Sequence, residues 1–587
     1  MRMVTGSMKG MILALLAVSA TAIAQQSAAT PQNPQPVAAA QSNLAPPATM
    51  DQVVDRVILR EKDMVKFLSP RTPIVETYLQ DLTQDPQLGP IPQDDHYFLG
   101  RMDFSDSIDR TEYLQGKDKG SDKDESMEKR LLGGFAKKFK FQYQPLGFSW
   151  MIFADRSDFD RQHYDFRYAR REFLGDVRCL VFDVTPKKNA GRGRFLGRIW
   201  VEDQDFSIVR LNGTYSHPSR NTYYFHMDSW RLNLVPGYWV PSYIYSEEGD
   251  FSAGAKNKIA FKAQTRMWGY NLKMGTASDE LTNIRVDSVK DDTPTAQDAT
   301  PLAAEREWQQ QAEDNVVDRL ERAGLLAPAG DVDKILQTVV DNLLITNNIE
   351  LPRPVRTRVL TTSPLETFSV GNTIVVSRGL IDVLPDEGSL AMVLSHELAH
   401  IVLGHNLGGE YAFNDRMLFS DEGTYQNLGF KHIPEEEAAA DKKAIEMLKA
   451  SPYAQKLDSA GLFIKALQIR APQLSALLQA HLGNNISENG VVRMAQLATS
   501  APALDWNKLD QIAALPLGGR VKLNPWDDKV EIVKAQPVAI TSARDKMPFE
   551  VTPFFPRLSR YNSAPAPVNA PAPTTAATAT NNPTPSN

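Results

Sequence analysis

The segment that decides the fold of this chain is His396-Glu397-Leu398-Ala399-His400-Ile401-Val402-Leu403-Gly404-His405. It holds three of the nine histidines, and the seven residues before it contain no proline or glycine. These features predict a helix on which His396 and His400 lie one turn apart on the same face. Two imidazoles on one face can bind zinc, and Glu397 between them can act on a water at the metal.

The neighbouring residues favour a buried metal site over a pair of exposed histidines. Apolar side chains cover most of the predicted helix, namely Leu390, Val393, Leu394, Leu398, Ile401 and Val402. Such a helix is buried, and buried histidines beside a glutamate need partners, which a metal supplies. The metzincin spacing would require a third histidine at position 406, which is Asn406 here. We therefore expect His405 to lie at the end of the helix, with Gly404 near its cap.

The third ligand is predicted in a second segment, Pro434-Glu435-Glu436-Glu437-Ala438-Ala439-Ala440-Asp441. Proline at the first position and acids in the first turn are typical of a helix start. Glu437 is preferred because it alone has an acid four residues on, which places Glu437 and Asp441 on one helix face. One carboxylate can bind zinc while the other orients a ligand histidine. The three alanines leave room for packing against the histidine helix. The alternative is an ordinary solvated acidic helix start.

The two segments together resemble the zinc metallopeptidase family of HtpX, BepA and the type-1 CAAX prenyl proteases. The resemblance rests on His396-Glu397-x-x-His400 followed by Glu437-x-x-Ala440-Asp441. It implies one Zn²⁺ per chain, held by His396, His400 and Glu437, with Asp441 orienting a ligand. It also implies that Glu397 is the general base and that the substrates are proteins or peptides.

Two further segments bear on this resemblance. Asn372–Leu380 is similar to the family's strand and turn before the active helix, which implies that Thr373, Ile374 and Val375 pair with an extended substrate. The family often carries His-Pro followed by Arg-Ile or Arg-Leu downstream. Asn524-Pro525 occupies that place here, with Lys529 for the arginine. This departure favours, as an alternative, an inactive peptidase or a metal-binding chaperone.

The whole chain sets wider limits. Its 587 residues allow two to four domains, and 42% hydrophobic and 23% charged residues are ordinary for a globular protein. A net charge of −7 gives no reason to expect nucleic acid, and no later segment has the apolar run of a membrane span. Arg2 and Lys9, an apolar core from Met11 and the site Ala22-Ile23-Ala24 predict a signal peptide. We therefore expect the mature protein in the periplasm or secreted. The single cysteine, Cys179, is expected in the core.

The predicted fold class is α+β, with a mainly antiparallel β domain followed by a mostly helical, zincin-like domain. An amphipathic helix spans Val54–Leu68, and seven strands are predicted at Phe139–Tyr143, Tyr164–Tyr168, Cys179–Val184, Arg198–Val201, Phe206–Leu211, Trp239–Tyr245 and Ile259–Trp268. The predicted divisions are 1–24 signal peptide, 25–50 disordered spacer, 51–288 helix and β domain, 289–302 linker, 303–540 metallopeptidase domain, 541–563 extension and 564–587 disordered tail.

These features predict a zinc endopeptidase. From the family comes the further expectation that it acts on unfolded or misassembled envelope proteins. A second alternative is a lipid or lipoprotein carrier that works through the β domain, because aromatic residues are dense in its strands. The order of those strands also faintly resembles periplasmic lipoprotein-carrier half-barrels. A packed sheet face explains the same aromatics, since aromatic residues suit strands.

Overall fold

The computed structural model describes most of the chain between residues 46 and 561. The described ranges are 46–85, 89–102, 104, 148, 151–155, 157–191, 194–215, 226–235, 237–248, 260–270, 301–405, 429–488, 491–503, 521–524, 529–532, 549, 551 and 553–561. The predicted signal peptide, the strand at 139–143, nearly all of the spacer and linker, and the tail lie outside these residues. Among the described helices, none is both long enough and apolar enough to cross a bilayer.

A nine-stranded antiparallel sheet forms the first half of the structure. Its strands are β1 (Ile74–Asp85), β2 (Gly89–Arg101), β3 (Tyr164–Leu174), β4 (Val177–Pro186), β5 (Phe195–Glu202), β6 (Ile208–Tyr215), β7 (His226–Val235), β8 (Tyr238–Glu248) and β9 (Ala260–Trp268). The spatial order is β2-β1-β9-β8-β7-β6-β5-β4-β3. The predicted antiparallel β region is therefore confirmed, although β1, β2 and β7 were not predicted.

The missed strands carry polar residues on faces that are buried. Glu76 and Gln80 of β1 and Asp228 and Arg231 of β7 are all at most 1% exposed. Period-two alternation of apolar and polar residues is the sequence signal of a half-buried strand. Strands whose buried positions are polar lose that signal, which explains why these three were not recognised.

Helix α1 (Met50–Leu68) covers one face of the sheet. Thr49 caps it, since its side chain accepts a hydrogen bond from the Gln52 amide. The buried stripe predicted from the sequence, including Val54, Val57 and Leu68, packs in one cluster with inward side chains of the sheet. The helix starts at Met50, so the last residue of the predicted spacer belongs to it.

A mostly helical region of residues 301–503 follows. Its helices are α2 (Pro301–Arg322), α3 (Asp331–Thr346), α4 (Arg378–Val383), α5 (Glu387–Leu403), α6 (Pro434–Lys449), α7 (Leu457–Arg470), α8 (Ser475–Leu478) and α9 (Ala495–Ser500). Its four-stranded sheet has the order β10-β12-β11-β13, from β10 (Arg356–Leu360), β11 (Glu366–Val370), β12 (Thr373–Ser377) and β13 (Asn484–Asn485). Together with the large sheet, this region gives the predicted α+β class.

The position of β12 corrects one prediction from the sequence. Thr373, Ile374 and Val375 lie in the middle of the small sheet, where β12 pairs in parallel with β10 and antiparallel with β11. All of β12 is buried. Both edges of the strand are already hydrogen-bonded, so these three residues cannot pair with an extended substrate, and that prediction was wrong.

The second face of the large sheet packs against the helical region. The carboxylate of Glu76 accepts hydrogen bonds from the Ser363 amide (2.6 Å) and from Arg266 Nε (2.7 Å). The carboxylate of Asp95 accepts from the amides of Ala476 and Leu477, both at 2.8 Å. Burial raises the pKa of Asp95 to about 6, although these amides lower it. The contact between the sheet and the helical region thus contains buried carboxylates held by backbone amides.

A C-terminal strap, residues 549–561, lies across the same face of the sheet. The Gln80 side chain joins it at both the Phe549 carbonyl and the Val551 amide. The Phe555 ring packs edge-on against Trp230, with centroids 5.6 Å apart. Gly175 has a positive φ of 66°, and a Cβ there would lie 2.6 Å from the backbone of Leu558. The close passage of the strap therefore requires glycine at this turn.

Candidate active site

Helix α5 presents the His-Glu-x-x-His residues inside the protein. It starts at Asp386, whose carboxylate accepts from the Ser389 amide at 2.8 Å, and ends at Gly404, whose φ is 70°. The helix is apolar on nearly all sides, as the sequence predicted. His396, Glu397 and His400 are at most 2% exposed. Buried groups of this kind need polar partners, and the neighbouring elements supply them.

Three predicted ligands converge on one point. His396 Nε2 lies 3.2 Å from Glu437 Oε2, and His400 Nε2 lies 3.4 Å from Glu437 Oε1. The two imidazole Nε2 atoms are 3.2 Å apart. Two imidazole nitrogens and one carboxylate are the protein ligand set of many catalytic zinc sites. The residues therefore fit zinc, and His396, His400 and Glu437 would hold it.

The charges of these groups support cation binding. Burial raises the pKa of Glu437, but His396, His400 and Arg493 outweigh it and hold that pKa well below its usual range. Burial lowers the pKa of His396, but Asp441 and Glu437 outweigh it and raise that pKa to about 9. The half-buried carboxylate of Glu437 is thus kept in the ionised form that a metal ligand needs, whereas His396 would give up its proton when a cation binds.

Helix α6 places the acidic residues in the register expected from the sequence. Asp441 Oδ1 lies 2.9 Å from His396 Nδ1, on the side of the ring away from Glu437. Its other oxygen accepts from the Met494 amide at 2.9 Å. Glu435 is exposed, and of the three alanines only Ala440 is buried. Asp441 can therefore fix the orientation of a ligand histidine, while room for helix packing comes from Ala440 rather than from all three alanines.

Two more histidines surround His400. His405 Nδ1 lies 3.0 Å from His400 Nδ1, the nitrogen turned away from Glu437. The His432 ring stacks on the His400 ring, with centroids 3.8 Å apart, and its Nδ1 lies 2.9 Å from Glu436. Burial lowers the pKa of both His405 and His432. His405 thus lies beside a ligand histidine, beyond the helix end, as the sequence predicted.

Glu397 is held by two residues that the sequence analysis missed. Thr367 on β11 donates its hydroxyl to Glu397 Oε1 at 2.6 Å. Arg493, two residues before α9, has Nη1 3.2 Å from the same oxygen and Nε 3.4 Å from Glu437 Oε2. Asn484 also donates its side-chain amide to Glu437. The second carboxylate oxygen of Glu397 is not used by the contacts of Thr367 and Arg493, so it can serve as a base.

Arg493 bears on the interpretation of the downstream segment. Asn524 and Lys529 are backbone partners in an antiparallel pair of strands, β14 (Val521–Asn524) and β15 (Lys529–Ile532). The arginine in the site is Arg493, which is followed by Met494. Arg493 therefore lies beside Glu397 in the described residues, and the match of Asn524 and Lys529 to the family's segment stays a prediction. The pair Arg-Met was the available signal, because an arginine followed by an apolar residue is what the family pattern contains.

An apolar cleft opens next to the predicted ligands. Its volume is about 370 Å³ including its open mouth, and its polar lining residues are Thr367, His396 and Arg493. The other lining residues are Met392, Val393, Phe463, Ile464, Leu467, Ile486 and Met494. A cleft with apolar walls and a few polar groups is typical of a binding site for an apolar side chain.

The candidate site has the His-Glu-x-x-His arrangement that is typical of zinc metallopeptidases. Residues 331–419 match the family model of peptidase family M48, a range that contains His396, Glu397 and His400. The chain thus carries a domain of the M48 metallopeptidase family, which confirms the resemblance drawn from the motifs. A crystal structure of a LolA superfamily protein from Nitrosomonas europaea is 11% identical, with a TM-score of 0.20, over 38% of this chain and 93% of that chain. No curated protein shows significant similarity to the sequence.

Proposed function

We propose that this protein is a zinc-dependent endopeptidase. The observation that carries the proposal is the convergence of His396, His400 and Glu437 on one point, beside the buried carboxylate of Glu397. His396, His400 and Glu437 would hold the ion, and Asp441 would orient the ring of His396. Bound zinc supplies Lewis-acid chemistry in peptide hydrolysis.

The other residues of the site would transfer the proton and stabilise the negative charge that develops during the reaction. Glu397 would take a proton from the attacking water and pass it to the leaving amine as the peptide bond breaks. The hydroxyl of Thr367 holds one oxygen of Glu397 and so orients the other. Arg493 provides a positive charge next to both glutamates, where negative charge develops on the carbonyl oxygen of the substrate.

The substrate class follows from the cleft and the predicted signal peptide. The cleft beside His396 would accept an apolar side chain next to the cleaved bond. Apolar side chains are exposed in unfolded proteins, which supports unfolded or misassembled envelope proteins as substrates. Ala22-Ile23-Ala24 supports export to the periplasm or beyond, and the intact mass of the mature protein, expected to begin at Gln25, tests this.

The alternative functions have less support. The inactive chaperone was favoured by Asn524 at the place of the family's histidine, and against it Arg493 supplies a positive charge beside the buried carboxylate of Glu397. The carrier function requires a free apolar face on the large sheet. Among the described residues, α1 packs on one face, where its Glu61 forms a buried ion pair with Arg231 of β7, and the helical region and the strap pack on the other.

The test of the proposed function is cleavage of an unfolded protein such as casein, with and without a chelator. Glu397→Gln keeps the shape of the side chain and removes the base. We expect zinc to remain bound while cleavage falls by at least about a hundredfold. Chelator should abolish the wild-type activity, and added zinc should restore it. If the glutamine variant cleaves casein at the wild-type rate, another residue performs the chemistry and the proposal is wrong.

A further inference from the structure

We propose a second divalent-cation site in this protein, formed by Asp81, Asp94 and His96 on strands β1 and β2 of the large sheet. Within the described ranges, two groups of three histidine, cysteine or acidic residues bring one ligand atom each within 4.8 Å of one another. One is the group of His396, His400 and Glu437 in the candidate active site. The other is this group, which no part of the proposed peptidase mechanism uses.

Strand register brings the three side chains together. Asp81 lies directly opposite Asp94, and Leu79 lies opposite His96. Alternate residues of a strand point to the same face, so Asp81, Asp94 and His96 share one face. The register shifts directly after Asp81, as in a β-bulge. Acidic side chains directly opposite each other destabilise a sheet, and a cation between them removes that cost.

Burial of Asp81 is a second and independent observation. This residue is only 6% exposed, and its Oδ2 lies 3.2 Å from His96 Nε2. Its Oδ1 is buried and has no hydrogen-bond partner among the residues that the structure describes. A buried carboxylate oxygen without a partner is costly, because it has lost its water. A bound cation would satisfy that oxygen together with the charge of the side chain.

Asp228, another buried acid of the same sheet, has an arginine as its partner. Asp228 is 1% exposed, and both of its oxygens accept from Arg210, at 2.8 and 3.0 Å. For Asp81 the charged contact is the single one to His96, whose ring is neutral unless protonated. Among the described residues, strands β1 and β2 therefore bury the carboxylate of Asp81 without pairing it with an arginine.

The ligand set points to the chemical class of the ion. Two carboxylates and one imidazole suit a first-row transition ion such as zinc, with water completing the coordination. The ring of His96 is 33% exposed, so an ion can reach the group from solvent. The ion would join the edge strand β2 to β1, on the face opposite to the Asp95 contact with Ala476 and Leu477. Its expected role is structural.

Zinc content of five forms of the full-length protein tests this site separately from the candidate active site. Dialysed wild-type protein should hold about two zinc ions per chain, as measured by mass spectrometry of the metal. Asp81→Asn, which keeps the shape of the side chain, should lose one ion and keep casein cleavage. Glu437→Ala should also lose one ion, and the double variant should lose both. Asp165→Asn, an exposed acid on β3, is the matched control and should change nothing.

A thermal measurement guards against variants that merely fold poorly. In the Glu437→Ala background, added zinc should raise the melting temperature, and Asp81→Asn should remove that rise. One zinc per wild-type chain, lost with Glu437→Ala and kept with Asp81→Asn, would overturn the second site and leave the proposed peptidase intact. Two ions that both survive Asp81→Asn would also overturn it. If the wild type and Asp81→Asn bind one ion each and Glu437→Ala retains it, both assignments are wrong.

Discussion

The large sheet and the candidate active site both bury charged side chains, but they satisfy them in opposite ways. In the sheet, each buried arginine has its own carboxylate, and both partners are at most 9% exposed. The three pairs are Arg210–Asp228, Arg231–Glu61 and Arg266–Glu76. Arg210 also lies over the rings of Trp200, Trp230 and Phe555, 4.3 to 5.0 Å from their centroids. These pairs are closed, because every charge meets its opposite inside the group.

In the active site, the acids outnumber the arginine. Glu397 and Glu437 share Arg493, and Glu437 also faces the Nε2 atoms of His396 and His400. The imidazole nitrogens of His396 and His400 and the carboxylate of Glu437 therefore converge as electron-pair donors without enough positive charge between them. Closed pairs hold elements together and need nothing else, whereas an open group of donors is incomplete until a cation joins it. The comparison therefore separates a structural use of buried charge from a functional one.

The largest effect is expected from removing the carboxylate that completes the open group. Glu437→Ala should abolish zinc binding at the candidate active site and with it peptide hydrolysis, because two histidines alone bind zinc poorly. Glu435→Ala is the matched control, since this exposed neighbour points away from the site and should leave the metal in place. Metal content of the purified variants is the measurement. Full zinc in Glu437→Ala, with loss in Glu435→Ala or His405→Ala, would show that the register of α6 in the site is wrong.

Breaking a closed pair should lower the stability of the fold without changing zinc binding. Arg231→Met leaves Glu61 buried and unpaired, which should lower the free energy of unfolding by roughly 3 to 5 kcal/mol. Zinc content per folded chain should not change. Arg167→Met removes an exposed partner of Asp183 and should cost less than about 1 kcal/mol. Urea unfolding of the three proteins gives the comparison, and equal losses from the two variants would remove the distinction between buried and exposed pairs.

A smaller effect is expected for the carboxylate behind the ligands. Asp441→Ala should weaken zinc binding or activity by roughly 10- to 100-fold without abolishing the site. The reason is that Asp441 touches His396 at Nδ1 and does not reach the point where the ligand atoms meet. Glu446→Ala, on the exposed side of the same helix, serves as the control. Competition with a zinc-binding dye measures the affinity, and complete loss of zinc would make Asp441 a ligand rather than an orienting residue.

The last prediction concerns pH and the contact between the sheet and the helical region. The pKa of Asp95 is raised by burial to about 6, above the 3.8 of a free side chain. A raised folded-state pKa means that the folded protein binds the extra proton. This contribution to stability is full below about pH 4 and is lost as pH rises through 6, on the order of 3 kcal/mol. Asp95→Asn should lack this loss, and Asp165→Asn should keep it. The free energy of unfolding, measured at pH 4, 5, 6 and 7, tests this prediction. Parallel pH curves for the wild type and Asp95→Asn would contradict it.

The difference between local patterns and contacts of distant residues explains what the sequence could predict. The histidine helix and the start of α6 at Pro434 were predictable, because motif spacing and helix-start residues are local signals. Thr367 and Arg493 were not found, because each reaches Glu397 from a distant part of the chain. β12 was recognised as a strand, but its neighbours β10 and β11 could not be read from its own residues. Local patterns predict individual helices and strands, whereas strand pairing and contacts between distant residues are seen only in the structure.

The strap of residues 549–561 has a consequence for the order in which the protein is made. Its residues Phe555 and Arg560 complete the surroundings of Trp230 and Glu202, in strands that were synthesised more than 300 residues earlier. A ribosome builds the chain from its N-terminus, so the sheet must wait with one apolar face incomplete until nearly the whole protein has emerged. Truncation at the C-terminus would therefore leave the N-terminal sheet, which is synthesised first, without its cover. The nascent sheet would need protection until the strap has been synthesised.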